Sequence, residues 1–198
     1  GSILLYIVLT GFVATGRTLP LDTSLMLRLA LERREWLSPI VQAIGSIGGG
    51  AIAIPAALGF IGLLWRRRRK SDARAYGIIA VGGWGVYALA KVVVRRGRPH
   101  VISYLYHGAG WYSYPSGHST LAPIVFGLAA VFWSAAWTSN GRRRMLVGAA
   151  GLLAVAIACS RVYIGVHYPS DALGGLLLGT AWSAFWYWWW GTSVVESR

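Results

Sequence analysis

The chain has 198 residues, 56% of them hydrophobic and only 13% charged, yet its formal net charge is +13. A soluble domain carries about 25% charged residues, so this balance excludes one and points to several membrane segments. Nucleic acid is not implied as a partner: much of the charge sits in two short runs, Arg66 to Lys70 and Arg142 to Arg144, each between apolar stretches, and no nucleic-acid motif accompanies them.

In chain order, the apolar runs predict an all-α polytopic membrane bundle, with six transmembrane helices plus a short interfacial helix in a single domain over residues 1–198. The opening Gly1-Ser2 pair, without a methionine, reads as an appended remnant. The first run, Ile3 to Ala14, is short for a span, which is expected either to have lost its beginning or to extend to Thr18. Residues Leu21 to Trp36 follow, with leucines loosely alternating with Arg28, Glu32, Arg33, Arg34 and Glu35. This predicts an amphipathic helix in the interface, capped by Asp22 or Thr23, with a solvated linker as the alternative.

The second run spans Ser38 to Trp65, the third Tyr76 to Val94, and the fourth Thr120 to Trp137. The fifth, Met145 to Cys159, is again short, and its single cysteine is expected to be a buried, inert thiol. The sixth, Ala172 to Trp190, ends in an aromatic run that predicts an interfacial belt. Gly45 with Gly49, and Gly175 with Gly179, have the spacing that lets membrane helices approach closely, a structural role. With the two basic runs on the cytoplasmic side, residues 16–37, 95–118 and 160–171 share the opposite face. Lys91, Arg95, Arg96, Arg98 and Arg161 then sit on that outer face, against the usual charge bias, and are read as functional charges.

Three polar clusters fall at span ends on that face. Lys91 and Arg98 are seven apart, followed by Pro99. Tyr114-Pro115-Ser116-Gly117-His118 precedes the fourth span. Ser160-Arg161 is followed by His167 and Asp171. Lys91, Arg98 and Arg161 are three fixed cations able to bind a phosphate dianion and the charge of its pentacoordinate transition state. Ser116 and the backbone N–H groups of Gly117 and His118 open a helix, where anions bind readily. Asp171, one helical turn from His167, would fix its tautomer and leave the other nitrogen free to attack phosphorus. His118 is then the general acid and base. Taken singly, each cluster reads as an interfacial anchor or a capped turn; together on one face they read as a site. An isolated HxxxD pair lacks the further ligands a metal needs, so no metal and no cofactor are expected.

KVVVRRGRP, PSGH and SRVYIGVHYPSD together resemble the three-part signature of the type 2 phosphatidic acid phosphatase superfamily, K-x6-R-P, P-S-G-H and S-R-x5-H-x3-D, with each position filled over residues 91–171. The resemblance implies a metal-independent phosphatase with an all-helical core. It implies Lys91, Arg98, Ser116, Gly117 and Arg161 as phosphate binders, and His118 as acid–base. It implies His167 as nucleophile, oriented by Asp171. It also implies a lipid phosphate substrate (phosphatidic acid, phosphatidylglycerol phosphate or undecaprenyl diphosphate) among membrane lipids. The site is then expected on the periplasmic or exterior face of a bacterial cytoplasmic membrane. A lipid phosphotransferase and a non-catalytic lipid-binding or transport protein remain the alternatives. Between Pro99 and Pro115 the segment reads as a lid or specificity loop, and Tyr104, Tyr106, Trp111, Tyr112 and Tyr114 are expected either to meet lipid head groups or acyl chains or only to anchor the loop at the interface. His100 and His107 read as loop residues, the latter able to tune pH dependence. Arg95 and Arg96 add positive charge that favours a more anionic head group.

Overall fold

A computed structural model describes residues 1–105, 110 and 112–196. Among these, nine α-helices and no strand occur: α1 (Ser2–Ala14), α2 (Leu19–Leu31), α3 (Ser38–Ile47), α4 (Gly50–Arg66), α5 (Lys70–Val94), α6 (Gly117–Ala122), α7 (Leu128–Ser134), α8 (Asn140–Tyr163) and α9 (Pro169–Glu196). A π-helical turn, Pro123–Gly127, joins α6 to α7. Pro123 brings no N–H to the helical ladder, which widens there, and Tyr76 Oη donates to the Val125 carbonyl in that turn at 3.0 Å.

Three helices are long and apolar enough to cross a membrane: α5, the continuous stretch Gly117–Ser134, and α8. The count rises to five if each bent pair, α1 with α2 and α3 with α4, forms one span. α9 is longer, at 28 residues, but its many Trp and Tyr rings each carry a polar N–H or O–H and make it less apolar than its length suggests. Length and apolarity alone therefore do not reach the six expected spans.

The breaks have local causes. α1 runs into Gly16, whose φ of 72° is a left-handed conformation that glycine adopts freely, and the chain turns by 91° into α2. Pro20 favours the first turn of α2, so the helix begins at Leu19. Asp22 is therefore not the expected cap: it lies inside that first turn, buried. Asp22 and Met26 are buried and Leu29 half-buried, at i, i+4 and i+7, while Leu21, Leu25, Leu27 and Leu31 are exposed. The span expected over residues 38–65 is broken at Gly48 and Gly49, and its halves differ in direction by 43°. α8 extends beyond the expected fifth segment at both ends, taking in Arg142 to Arg144 and Arg161. Cys159 is exposed, not buried, because it shares the outward face of α8 with Leu152 and Val155, at i, i+3 and i+7.

α4, α5, α7 and α9 enclose the main apolar core around Leu64, Tyr76, Ile79, Leu128 and Phe132. The aromatic run divides between two settings. Trp186, Tyr187 and Trp190 pack on this core, while Phe185, Trp188 and Trp189 face outward. α9 lies directly on α6: a Cβ on Gly175 would come 2.6 Å from the Ser116 carbonyl oxygen, and one on Gly179 would strike the Thr120 carbonyl. This pair plays the packing role expected of it. The pair Gly45 and Gly49 does not: Gly45 packs on Ser160, but Gly49 is the N-cap residue of α4 and faces His118.

The end of α5, the start of α6, the end of α8 and the start of α9 meet at one end of the bundle. Ser116 N–H donates to the Asp171 carbonyl at 3.0 Å, and Leu105 N–H to that of Ile164 at 2.9 Å. Arg33 ties the turn after α2 to the same end, donating to the carbonyls of Tyr163 (2.9 Å) and Ser103 (2.7 Å). At the other end Arg69 donates to the Phe132 carbonyl at 2.6 Å.

Candidate active site

His167 lies in the turn between α8 and α9, 3% exposed. Asp171, in the first turn of α9, is wholly buried. His167 Nδ1 faces Asp171 Oδ2 at 3.5 Å, a long contact through which the carboxylate acts on the imidazole. Contacts of this kind often shorten once substrate binds. The carboxylate favours the proton on Nδ1, so the Nε2 lone pair points away from Asp171. On that side stands Arg98, its Nη1 3.3 Å from Nε2. Burial pulls the His167 pKa down to about 4 against the opposing pull of Asp171, so the ring is neutral at pH 7.

Arg98 is positioned by carbonyls. Nη1 donates to Val166 O at 2.6 Å, and Nε donates to Gly110 O. Burial lowers its pKa, partly offset by Asp171. Lys91, in the last turn of α5, donates from Nζ to Tyr112 O at 2.7 Å and lies 5.6 Å from the Tyr87 ring centre. His118 is the second residue of α6, within electrostatic reach of Arg161, His167, Arg98 and Lys91. It lines a cavity of about 270 Å³ with Arg161, Gln42, Ser46, Gly49 and Gly50. Arg161 is 6% exposed at the end of α8, near Gly45. The three sequence clusters thus converge.

Ser116 has a different placement from the rest. It is fully buried and caps α6, its Oγ accepting from Ser119 Oγ at 2.9 Å and Ser119 N–H at 3.4 Å. Gly117 follows it at the helix start, and a Cβ there would meet the Tyr87 ring at 2.9 Å. Tyr114 is likewise not a lipid-facing loop residue. It is buried, shares a 2.7 Å hydrogen bond with Thr10 Oγ1, and stacks on Tyr6 of α1. Tyr106, His107 and Trp111 lie outside the described residues. Among the described residues no group of three or more His, Cys, Asp or Glu side chains converges as a metal site.

Arg95 and Arg96, expected to add charge toward the substrate, diverge. Arg95 ends α5 in a left-handed conformation and bonds back to Val92 O at 2.8 Å. Arg96 is turned inward, with Nη1 2.7 Å from Asp171 Oδ1 and Nη2 2.7 Å from Asp22 Oδ2. Burial works against its charge, but Asp171 and Asp22 more than offset this and raise its pKa. Neither charge is therefore an argument for a more anionic head group. Asp22 and Gly49, which face Arg96 and His118, were not singled out by the sequence as part of this end of the bundle, and Arg96, read as a charge toward substrate, instead faces Asp22 and Asp171. Asp22 carried a usable signal, since an acid beside a membrane segment is costly and functional by default.

The sequence profile of the PAP2 superfamily matches residues 72–194. The chain belongs to the PAP2 superfamily. It is 26% identical over 181 residues to phosphatidylglycerophosphatase B of Bacillus subtilis, covering 89% of this chain and 86% of that protein. It is 44% identical over 77 residues to a putative undecaprenyl-diphosphatase of Escherichia coli, covering 39% of this chain and 34% of that one. Its fold resembles the crystal structure of a transmembrane PAP2-type phosphatidylglycerolphosphate phosphatase from Bacillus subtilis, with a TM-score of 0.88 and 25% identity, over 95% of this chain and 93% of that one. LpxE of Aquifex aeolicus shares the fold at a TM-score of 0.63 and 21% identity, over 83% of this chain and 93% of that one. Family and fold make this PAP2 chain a membrane hydrolase of the lipid phosphatase class.

Proposed function

We propose that the chain removes a terminal phosphate from a membrane lipid in two steps, through a phosphohistidine on His167. The carrying observation is the line Asp171–His167–Arg98, with Nδ1 facing a carboxylate at 3.5 Å and Nε2 facing a guanidinium at 3.3 Å. Arg98, Lys91 and Arg161 bind the phosphoryl oxygens and stabilise the charge of the five-coordinate transition state. The Gly117 and His118 amides at the α6 start add donors, while Ser116 shapes that start as its cap. His167 Nε2 attacks phosphorus in line, and the P–O bond to the lipid breaks. His118 gives the leaving oxygen its proton. It then takes a proton from water, whose oxygen attacks phosphorus as the P–N bond breaks; this returns His167 to its neutral form and releases inorganic phosphate. The step needs no metal in this reading.

The names of the relatives support phosphatidylglycerol phosphate, phosphatidic acid and undecaprenyl diphosphate as the substrates to test. We further propose that residues 1–198 act as one unit. α1 and α2, upstream of the matched residues, touch the site end through Thr10, Tyr6 and Asp22. The basic ends of α4 and α8 favour the cytoplasmic side, which puts the site on the outer face of a bacterial cytoplasmic membrane. In that arrangement α1, the α3–α4 pair, α5, the α6–α7 stretch, α8 and α9 make six crossings, with α2 in the interface.

The test is phosphate release by purified protein in mixed micelles from the three lipids, without an added acceptor, alongside His167→Ala. The expected result is release from at least one lipid by the wild type and none by the variant. Release only when an acceptor lipid is added would favour a phosphotransferase. Unchanged release by His167→Ala would end the proposal.

A further inference from the structure

We propose that Asp22 and Arg96 are positioning residues for this reaction, Asp22 holding the Arg96 guanidinium so that Arg96 engages one oxygen of Asp171 and leaves the other to His167. The inference rests on the reading of His167 as nucleophile. Asp22 lies upstream of the residues the family profile matches, 72–194, and reaches the site through the 91° turn between α1 and α2.

The geometry divides the labour between the Asp171 oxygens. Oδ1 accepts from Arg96 Nη1 at 2.7 Å. Oδ2 accepts the Tyr168 N–H at 2.9 Å and faces His167 Nδ1 at 3.5 Å. An arginine beside a lone carboxylate prefers to bind both of its oxygens with two parallel N–H donors. Here Arg96 does not. Its second nitrogen, Nη2, is taken by Asp22 Oδ2 at 2.7 Å, with Thr18 Oγ1 at 3.3 Å. Asp22 is itself fixed: Oδ1 accepts the Ser170 N–H at 2.9 Å and Oδ2 the Ser170 hydroxyl at 2.5 Å. Arg96 Nη1 also donates to Ser170 Oγ at 2.7 Å, and the guanidinium lies 4.1 Å from the Tyr168 ring centre. The guanidinium is therefore held at both nitrogens and on one face.

Without the Asp22 charge, Nη2 has no carboxylate of its own, and the guanidinium is drawn toward a two-point grip on Asp171. Oδ2 then turns from His167, and the imidazole loses the group that holds its proton on Nδ1. Two carboxylates around one buried cation are weak support for stability as such, whereas they account directly for a one-oxygen grip.

The experiment is a double-mutant cycle of Asp22→Asn and Asp171→Asn, with His167→Ala alongside, reading kcat, KM and Tm for each. Asp22→Asn is expected to lower kcat by about 10- to 100-fold with KM changed less than about threefold, the pattern of a mispositioned reacting group. Asp22→Glu should recover part of that loss. In the Asp171→Asn background, Asp22→Asn should cost less than about threefold more, because its effect travels through Asp171. A folded Asp22→Asn protein with wild-type kcat, or an equal factor in both backgrounds, overturns the inference. If Asp22→Asn does not fold, Ser170→Ala takes its place in the cycle, with a smaller loss expected and the same non-additivity required. Turnover by His167→Ala would remove the nucleophile reading, and this inference with it. A dead His167→Ala beside a neutral Asp22→Asn removes this inference alone.

Discussion

Gly49 offers a graded steric test of the His118 role. Gly49 caps α4 in an extended conformation, φ −77° and ψ 154°, that other residues also adopt, so backbone strain is not the issue. Space is: a Cβ there would stand 3.1 Å from His118 Nε2 and 3.1 Å from the Ser46 carbonyl oxygen. A comfortable contact needs roughly 3.5–4.0 Å, so Gly49→Ala must move the imidazole or the α4 start by about 0.4–0.9 Å. A displacement of about 1 Å at a catalytic group costs on the order of 100-fold. The expected kcat is therefore about 5- to 50-fold lower for Gly49→Ala, or roughly 1–2 kcal/mol of barrier, and lower again for Gly49→Val. Loss of the glycine cap should cost stability only about 1 kcal/mol. The assay is phosphate release at saturating lipid, with Tm as the folding control. A folded Gly49→Val enzyme with wild-type kcat would refute the reasoning. A loss confined to KM would show that the cavity governs lipid access rather than the position of His118.

Three further outcomes are expected. In nitrogen-labelled histidine NMR of the free protein, His167 should titrate near pH 4 rather than near 6.5. The unfolded chain then binds the extra proton first, so His167 stabilises the fold above about pH 6.5, and that contribution is lost as pH falls toward 4; a His167 midpoint at or above 6.5 would contradict this. Gly179→Val should abolish folded protein, because its side chain would enter the Thr120 carbonyl and backbone cannot yield; normal yield and Tm would contradict the packing of α9 on α6. EDTA should leave phosphate release unchanged; inhibition reversed by a divalent ion would contradict the metal-free reading.

The helical membrane class was legible from the apolar runs, and the chemistry from three clusters of unusual residue types. The chain alternation that carries Lys91, His118 and His167 to one end needed only the number of crossings between them. Other features were hidden for definite physical reasons. The bend at Gly48 and Gly49 depends on how closely His118 and Ile157 approach, which the glycines permit but do not announce. Asp22 looked like a cap because a polar residue opening an apolar run ordinarily is one; its partner, Arg96, lies 74 residues away. Cys159 looked buried because the run around it is apolar, but in a membrane the outward face of a helix is apolar too. The sequence marks α8 as shorter than its 24 residues because charged residues at both ends read as the limits of an apolar span, whereas Arg161 folds inward at the site.

The central claim is a covalent bond from phosphorus to His167, and trapping it is the most direct test. Purified protein mixed with a lipid carrying a radiolabelled terminal phosphate, quenched within a single turnover and digested, should yield a labelled peptide containing His167 whose label survives base and is lost in acid. The His167→Ala protein should yield none. Labelled phosphate released at full rate with no labelled peptide at any time, or label on His118 instead, would contradict the account.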